Sequence, residues 1–365
     1  MTRARAYPLF FLGSALLPLL LCTATAAWAW AWSWTLLGVG GITVSASCCL
    51  LLVHAGLRVP WPRLRRTAQV ALPVGALPLA LLLPSSRVDR PGAPIRSCFM
   101  DGSRDRSTWL AGVPECETTV LGAVVGLAPD ERACHLEALR EHCAAADANP
   151  AFDRDSSPAL ESWFVDRGQY WLAVPDGPGP FPLVVFFHGN GGTIRLYAHL
   201  LAEAARARGL AIAFPAWGLG IYADDSAVPL FERTVAAAAR EDPRIDATRL
   251  ALVGLSAGAW AMCEVVVAPQ RRPLRVVGSV VGALSRTTGP VISALRGTKV
   301  LIQHGGADPR CSVVNAVDLE HGLRAAGVDV EALIELDADH LALLERREVW
   351  VPWLLDRLAA GLAPR

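Results

Sequence analysis

Charge is scarce in this sequence, and its two signs cancel. Only 19% of the 365 residues are charged, and 34 basic residues stand against 34 acidic ones. A chain without net charge has no overall field to attract a polyanion, so nucleic-acid binding is excluded as a first hypothesis. Because 53% of the residues are hydrophobic, intrinsic disorder is excluded as well. The sequence therefore predicts a folded protein with no nucleic-acid partner.

Cysteine is too scarce to build a disulfide scaffold, with nine residues in the whole chain. Some of these residues nevertheless cluster between positions 85 and 158, namely Cys98, Cys116, Cys134 and Cys143. If this segment lies outside the cytoplasm, we expect two disulfides among them, with three possible connectivities.

The same segment places histidines beside two of these cysteines, in Cys134-His135 and His142-Cys143. On a straight helix the two histidines share a face but lie roughly 10 Å apart, which is too far to bind one zinc ion. We therefore predict no metal site and no cofactor.

Long hydrophobic runs fill the first 84 residues, at 7–27, 35–57 and 68–83. A helix crosses the bilayer core with about 20 apolar residues, so we expect a membrane region of three transmembrane helices at 1–84. The third run is the weakest, because it is the shortest and contains Pro73 and Pro78. Arginines occur before the first run and again between the second and third runs. Since arginine-rich segments beside spans tend to stay on the cytoplasmic side, both of these flanking segments are predicted to be cytoplasmic.

This arrangement predicts a multi-pass protein of the cytoplasmic membrane, with everything after residue 84 outside the cytoplasm. Cleavage of the first run as a signal peptide stays open. Lys299 is the only lysine beside many arginines and alanines, which is typical of a bacterial genome rich in GC. Residues 85–158, rich in Pro, Gly, Arg and Asp, are expected to form a stalk or subdomain with a helix near 129–146.

From residue 159 to 365, short β-rich runs alternate with helical stretches, which predicts an α/β domain. We expect a mainly parallel sheet with helices on both faces. The expected strands are 161–166, 169–174, 183–187, 211–214, 250–253, 276–282, 300–303 and 330–336. The expected helices are 193–208, 231–240, 257–267 and 345–358.

A Gly-x-Ser-x-Gly motif, Gly254-Leu255-Ser256-Ala257-Gly258, lies at one strand-to-helix junction. A serine on such a tight turn projects its hydroxyl above the sheet, and small neighbours let other backbone pass close. The motif alone is a weak signal, but an apolar strand before it and a helix after it strengthen the prediction. Ser256 is therefore the candidate nucleophile.

A serine nucleophile needs a histidine base and a carboxylate that orients the base. His340 follows the last strand, where this kind of fold places the base, and Asp308 follows the strand before it. Asp337 and Asp339 adjoin His340 but are expected to be turn residues. The chain order Ser256, Asp308, His340 is the order typical of an α/β-hydrolase.

The oxyanion of acyl transfer needs donors, which are usually two backbone amides. The amide of Ala257 is expected to be one donor. The other is expected in the glycine-rich turn 188–192, directly after a strand, where Asn190 is the first choice and Gly191 the second.

Together these motifs resemble the α/β-hydrolase superfamily over residues 160–360. The loop at 304–311 that carries Asp308, here called the acid loop, resembles that of serine esterases similar to dienelactone hydrolase. The sequence departs from the common pattern where Leu341 follows the histidine and where Arg310 and Cys311 fill the acid loop. The resemblance implies an acyl-enzyme mechanism without a cofactor.

The resemblance implies a membrane-anchored serine hydrolase that cleaves a carboxylic ester of a small molecule or a lipid. Only residues 284–298 separate two late strands, which is too short for a large cap, and Trp217 and Tyr222 are candidates to line an acyl pocket. An envelope acyltransferase, a peptidase or a thioesterase with the same triad remains an alternative, as does a non-enzymatic membrane module. The oligomeric state is left open.

Overall fold

The computed structural model describes residues 90–101, 132–153, 168–189, 194–217, 226–282 and 289–364. Within these ranges the strands are β1 (Ile95–Phe99), β2 (Gln169–Ala173), β3 (Phe181–Phe187), β4 (Ala211–Pro215), β5 (Ile245–Leu255), β6 (Val276–Val280), β7 (Lys299–Gly305) and β8 (Val330–Glu335). The helices are α1 (Arg132–Asp147), α2 (Ile194–Arg206), α3 (Ala227–Glu241), α4 (Ala257–Val267), α5 (Gly289–Ala294), α6 (Val313–Ala325), α7 (Ala342–Glu345) and α8 (Arg347–Leu362).

The described strands form one sheet in the order β1-β2-β4-β3-β5-β6-β7-β8. β2 is antiparallel to both of its neighbours, and all other pairs are parallel. The central strands are nearly continuous apolar runs, as expected when both faces of a parallel sheet are covered. The predicted α/β fold with a mainly parallel sheet is therefore confirmed.

Helices cover both faces of this sheet because side chains alternate along each strand. Val185 and Leu252 point into the core shared with α3, α4, α5 and α6. Val184 and Val253 point into the opposite core, which α2 and α8 cover. The burial of these two layers fixes the strands in register and leaves their carboxyl ends free to carry a site.

Parts of the segment before residue 159 belong to the same body. β1, which the sequence did not predict, pairs antiparallel with β2 from Ile95 opposite Ala173 to Phe99 opposite Gln169. α1 packs on α2 through a small apolar cluster that includes Leu139. The domain boundary at 158/159 stays a prediction, although the described residues on its amino-terminal side extend the sheet and one helix layer.

Arg195, at the start of α2, ties α1 to the sheet. Its side chain is only 2% exposed, and its Nε donates a hydrogen bond of 3.1 Å to the carbonyl of Ala146 near the end of α1. The guanidinium also lies 4.2 Å from the ring centroid of Phe152. A cation at this end complements the negative end of the helix dipole, so one buried side chain anchors the helix.

We expect Arg195→Leu to lower the free energy of unfolding by about 2–4 kcal/mol, because it leaves buried carbonyl groups without a donor. Urea unfolding of the full chain measures this loss. The control is Arg324→Leu, which removes an exposed ion pair with Glu320 and should cost less than about 0.5 kcal/mol. Equal losses in the two variants would refute the anchoring role of Arg195.

The prediction of a multi-pass membrane protein with an extracytoplasmic domain is contradicted. In the part of the chain that the structure describes, no helix is long and apolar enough to cross a membrane. The longest described helices, α1 and α8, have 16 residues each, whereas a span needs about 20 predominantly apolar ones. The three apolar runs that motivated the prediction lie before residue 90, outside the described residues.

The prediction of two disulfides is not supported by the described residues. Cys98 is a free thiol, buried in β1, and burial raises its pKa to about 12. Each of the three connectivities needs all four cysteines, so a free Cys98 rules out every one of them. Cys143 is buried in α1, while Cys116 and the side chain of Cys134 lie outside the described residues.

Candidate active site

The sheet brings the three predicted triad residues to one edge. Ser256 directly follows β5, Asp308 lies in the loop after β7, and His340 lies in the loop after β8. These strands are parallel, so their carboxyl ends meet at the same edge of the sheet, where α/β folds carry their sites.

Ser256 occupies a strained turn between β5 and α4. Its φ of 53° and ψ of −116° are unusual for a residue with a side chain and cost about 1–3 kcal/mol. Its backbone N–H donates to the carbonyl of Val280 at 3.0 Å, which holds the turn against the end of β6. The side chain stays half-buried at the rim, where a substrate can reach it.

The two glycines of the motif are required by close approach of the backbone. A Cβ on Gly254 would collide with the carbonyl oxygen of Gly258, and a Cβ on Gly258 would collide with the carbonyl oxygen of Phe187. The turn therefore closes only when both positions lack a side chain. This packing explains why glycine stands two residues before and two residues after the serine.

The structure brings Ser256, His340 and Asp308 into one hydrogen-bonded chain. Nε2 of His340 lies 3.0 Å from Oγ of Ser256, and Nδ1 of His340 lies 2.8 Å from Oδ2 of Asp308. An ionised carboxylate only accepts, so Nδ1 carries the proton and donates it to Asp308. Nε2 is then left to accept the hydrogen bond of the serine hydroxyl.

Asp308 is buried yet remains ionised. Its other oxygen, Oδ1, accepts the backbone N–H groups of Arg310 and Cys311 at 2.8 and 2.9 Å. Burial by itself raises the pKa of Asp308, but the hydrogen bond and charge of His340, together with these two donors, outweigh it and hold the pKa below its usual value. The carboxylate is thus fixed in position and charge.

His304, at the carboxyl end of β7, holds the acid loop closed. Its Nε2–H donates to the carbonyl of Cys311 at 2.8 Å, and the same nitrogen lies 3.8 Å from Oδ2 of Asp308. Burial lowers the pKa of His304, which keeps the imidazole neutral at neutral pH. The sequence analysis did not identify this contact, which joins the end of a strand to a loop residue seven positions later.

The two rival carboxylates have other partners. Oδ1 of Asp339 accepts the backbone N–H of Leu341 at 2.7 Å, as a turn residue does. Asp337 is exposed and forms an ion pair with Arg346 at 2.8 Å. Neither side chain is the one that His340 contacts through Nδ1.

Asp308→Asn should lower kcat by about 10³- to 10⁴-fold with little change in KM, since an amide favours the wrong imidazole tautomer. The matched controls are Asp337→Asn and Asp339→Asn, which should retain most of the wild-type kcat. Steady-state hydrolysis of a chromogenic ester measures all three. The acid would be misassigned if Asp339→Asn proved as inactive as Asp308→Asn is expected to be.

One of the two predicted oxyanion donors lies within the described residues. Ala257 opens α4, so its N–H belongs to the first turn, where amides have no acceptor within the helix and the helix dipole is positive. Asn190 and Gly191 lie outside the described residues. Gly189, which precedes them, packs against the strained turn at Ser256, here called the elbow. A Cβ on Gly189 would lie 3.1 Å from Cβ of Ser256.

His188, at the carboxyl end of β3, links two loops through its ring. Its Nδ1–H donates to the carbonyl of Gly189 at 2.8 Å, and its Nε2 accepts the backbone N–H of Trp217 at 3.2 Å. The ring is buried and joins Gly189 to Trp217 in the loop after β4. The signal available in the sequence was its position, a histidine before glycine at the carboxyl end of a strand.

Burial lowers the pKa of His188 to about 4 from 6.5, so the unfolded chain binds a proton there before the folded protein does. Stability should therefore fall as the pH drops through this window, by about 1.4 kcal/mol per pH unit from this group. In His188→Asn the free energy of unfolding, measured in urea between about pH 6.5 and 4.5, should depend less steeply on pH. His321→Asn, at an exposed position, should follow the wild type. Parallel curves for His188→Asn and the wild type would disprove this assignment.

The predicted acyl-pocket residues are described only in part. Trp217 is half-buried and packs against the core cluster on the side of α3 and α4, while Tyr222 lies outside the described residues. Between β6 and β7 the described part of the chain contains only the short helix α5. The role of both aromatic residues in binding stays a prediction.

A group of potential metal ligands occurs in the same loop region. Ligand atoms of Asp308, Cys311 and His340 all lie within 4.8 Å of one another. Asp308 and His340 are also members of the hydrogen-bonded chain that begins at Ser256.

Comparison with known proteins gives no match by sequence. No family model matches the chain, and no curated protein matches it either. Similar solved structures include esterases, a lipase/esterase and a peptidase.

The acetyl ester-xyloside bifunctional hydrolase of Caldicellulosiruptor lactoaceticus is 15% identical, with a TM-score of 0.45 over 57% of this chain and 93% of that one. A thermostable esterase of Pseudomonas putida is 18% identical, with a TM-score of 0.42 over 54% and 77%. Acylaminoacyl peptidase of Pyrococcus horikoshii is 13% identical, with a TM-score of 0.40 over 52% of this chain, which spans 38% of its length. Values this low carry no argument about the substrate.

Proposed function

We propose that this chain is a serine hydrolase that cleaves a carboxylic ester through an acyl-enzyme. The observation that carries the proposal is the unbroken chain of hydrogen bonds from Ser256 through His340 to Asp308, built on a strained elbow. The strained backbone of Ser256 and the ionised, buried carboxylate of Asp308 both cost free energy. Such costs are typical of sites that position a nucleophile and its base.

Acylation begins with attack of Oγ of Ser256 on the ester carbonyl carbon. Nε2 of His340 takes the hydroxyl proton during the attack, since it already accepts that hydrogen bond. The carbonyl π electrons move onto oxygen, and the N–H of Ala257 donates to the oxyanion. We assign the second donor to the turn at Asn190.

Collapse of the tetrahedral intermediate breaks the bond to the alcohol, and His340 returns its proton to the leaving oxygen. Water then attacks the acyl-enzyme, His340 acts again as base, and release of the acid restores Ser256. Throughout, Asp308 stays ionised and stabilises the imidazolium through Nδ1–H. No step needs a metal or a cofactor.

An ester of a small molecule is the substrate class that we favour. The 18 residues 281–298 between β6 and β7, which include α5, offer little material for a cap over the site. Trp217 and Tyr222, after β4, are our candidates for contact with the acyl group.

Ser256→Ala should abolish ester hydrolysis and covalent labelling by a fluorophosphonate, because triad members act as a unit and turnover falls by several orders of magnitude without the nucleophile. The control Ser293→Ala, at an exposed position in α5, should be labelled as the wild type is. Labelling is read by intact mass, and the urea midpoint verifies folding. Undiminished labelling of a folded Ser256→Ala would reject the proposed function.

A further inference from the structure

A third potential metal ligand, the thiol of Cys311, lies beside the acid and base of the triad. One ligand atom each of Asp308, Cys311 and His340 lies within 4.8 Å of the other two. Carboxylate oxygen, thiolate sulfur and imidazole nitrogen are the three donors that zinc binds in proteins. The proposed hydrolytic mechanism uses Asp308 and His340 and assigns no role to the thiol of Cys311.

We propose that Asp308, Cys311 and His340 form an inhibitory site for a thiophilic divalent cation such as Zn²⁺. In a tetrahedral site the ligand atoms lie roughly 3.3–3.8 Å apart, so the observed spacing needs to close by about 1 Å. Three protein ligands leave the fourth position for water. The nitrogen of His340 that faces the carboxylate is Nδ1, at 2.8 Å from Oδ2 of Asp308.

Metal binding at Nδ1 explains the inhibition by proton placement alone. A metal bound at Nδ1 replaces the proton there, and the neutral imidazole then carries its single ring proton on Nε2. That nitrogen donates toward Ser256 instead of accepting from it, so it no longer takes the serine proton. Cys311 binds as a thiolate, and one proton is released for each ion bound, with no change of oxidation state.

The protein holds Cys311 in place beside the acid. The residue is only 6% exposed, and its backbone N–H donates to Oδ1 of Asp308 at 2.9 Å. His304 donates through Nε2–H to the carbonyl of Cys311 at 2.8 Å. The thiol is therefore kept close to the carboxylate by contacts of its own backbone.

Inhibition by the cation rests on the proposed function, whereas binding does not. Two readouts therefore keep the two ideas separate. The first is the concentration of Zn²⁺ that halves ester hydrolysis by the full chain, with reversal by a chelator. The second is titration with Cd²⁺, followed by the ultraviolet charge-transfer band of a cadmium–thiolate bond and by proton release.

Wild-type protein should show reversible inhibition, the cadmium–thiolate band and release of one proton. Cys311→Ala should lose the band and need at least about tenfold more Zn²⁺, each variant being compared with its own metal-free rate. Cys311→Ser tests the same loss with nearly unchanged volume, and Cys263→Ala, at a buried cysteine in α4, is the control.

The site is disproved if Cys311→Ala and Cys311→Ser bind Cd²⁺ with the same band, or are inhibited at the same Zn²⁺ concentration, as the wild type. Activation by Zn²⁺ would also overturn it. If the wild type hydrolyses no ester, the cadmium band and the proton release still decide whether the site exists.

Discussion

The whole site depends on three backbone segments that meet without side chains between them. Gly258 of the elbow lies against the carbonyl of Phe187, and Gly254 lies against the backbone of the first turn of α4. This contact fixes the distance between the nucleophile and the turn that begins at His188. A larger residue at either glycine would push the strained Ser256 out of reach of His340, so the chemistry follows from close packing at the centre of the sheet.

Around this point, burial sets opposite protonation states for neighbouring groups. His188 and His304 are buried beside backbone partners and are held neutral by loss of hydration. Asp308 is buried as well, yet His340 and two backbone N–H groups favour its charged form. A single ionised acid thus faces the base, while the histidines that shape the adjacent loops keep their hydrogen-bonding tautomers. The environment, rather than residue type, assigns these roles.

The central strands and the triad candidates could be predicted because they depend on local hydrophobic pattern and on the order of residues along the chain. Apolar runs mark β3 and β5, and the order of Ser256, Asp308 and His340 needs only the rule that parallel strands end at one edge. The errors came from features that pattern does not record. β1 carries Arg96 and Ser97 and becomes a strand only because β2 offers an edge, and apolar runs before residue 90 predicted a membrane location that the described helices contradict. His188 was missed because its contact with Trp217 joins distant parts of the chain.

The described residues before 159 matter to the site through Arg195. This side chain lies at the start of α2, and its guanidinium is buried against the end of α1 and the ring of Phe152. A domain cut at residue 159 would leave that cation buried without its carbonyl acceptor and would expose the edge of β2 that β1 now covers. The start of α2 would then lose the contacts that hold it. The physical unit that supports the candidate site therefore includes β1 and α1, beyond the stretch in which the hydrolase motifs can be read.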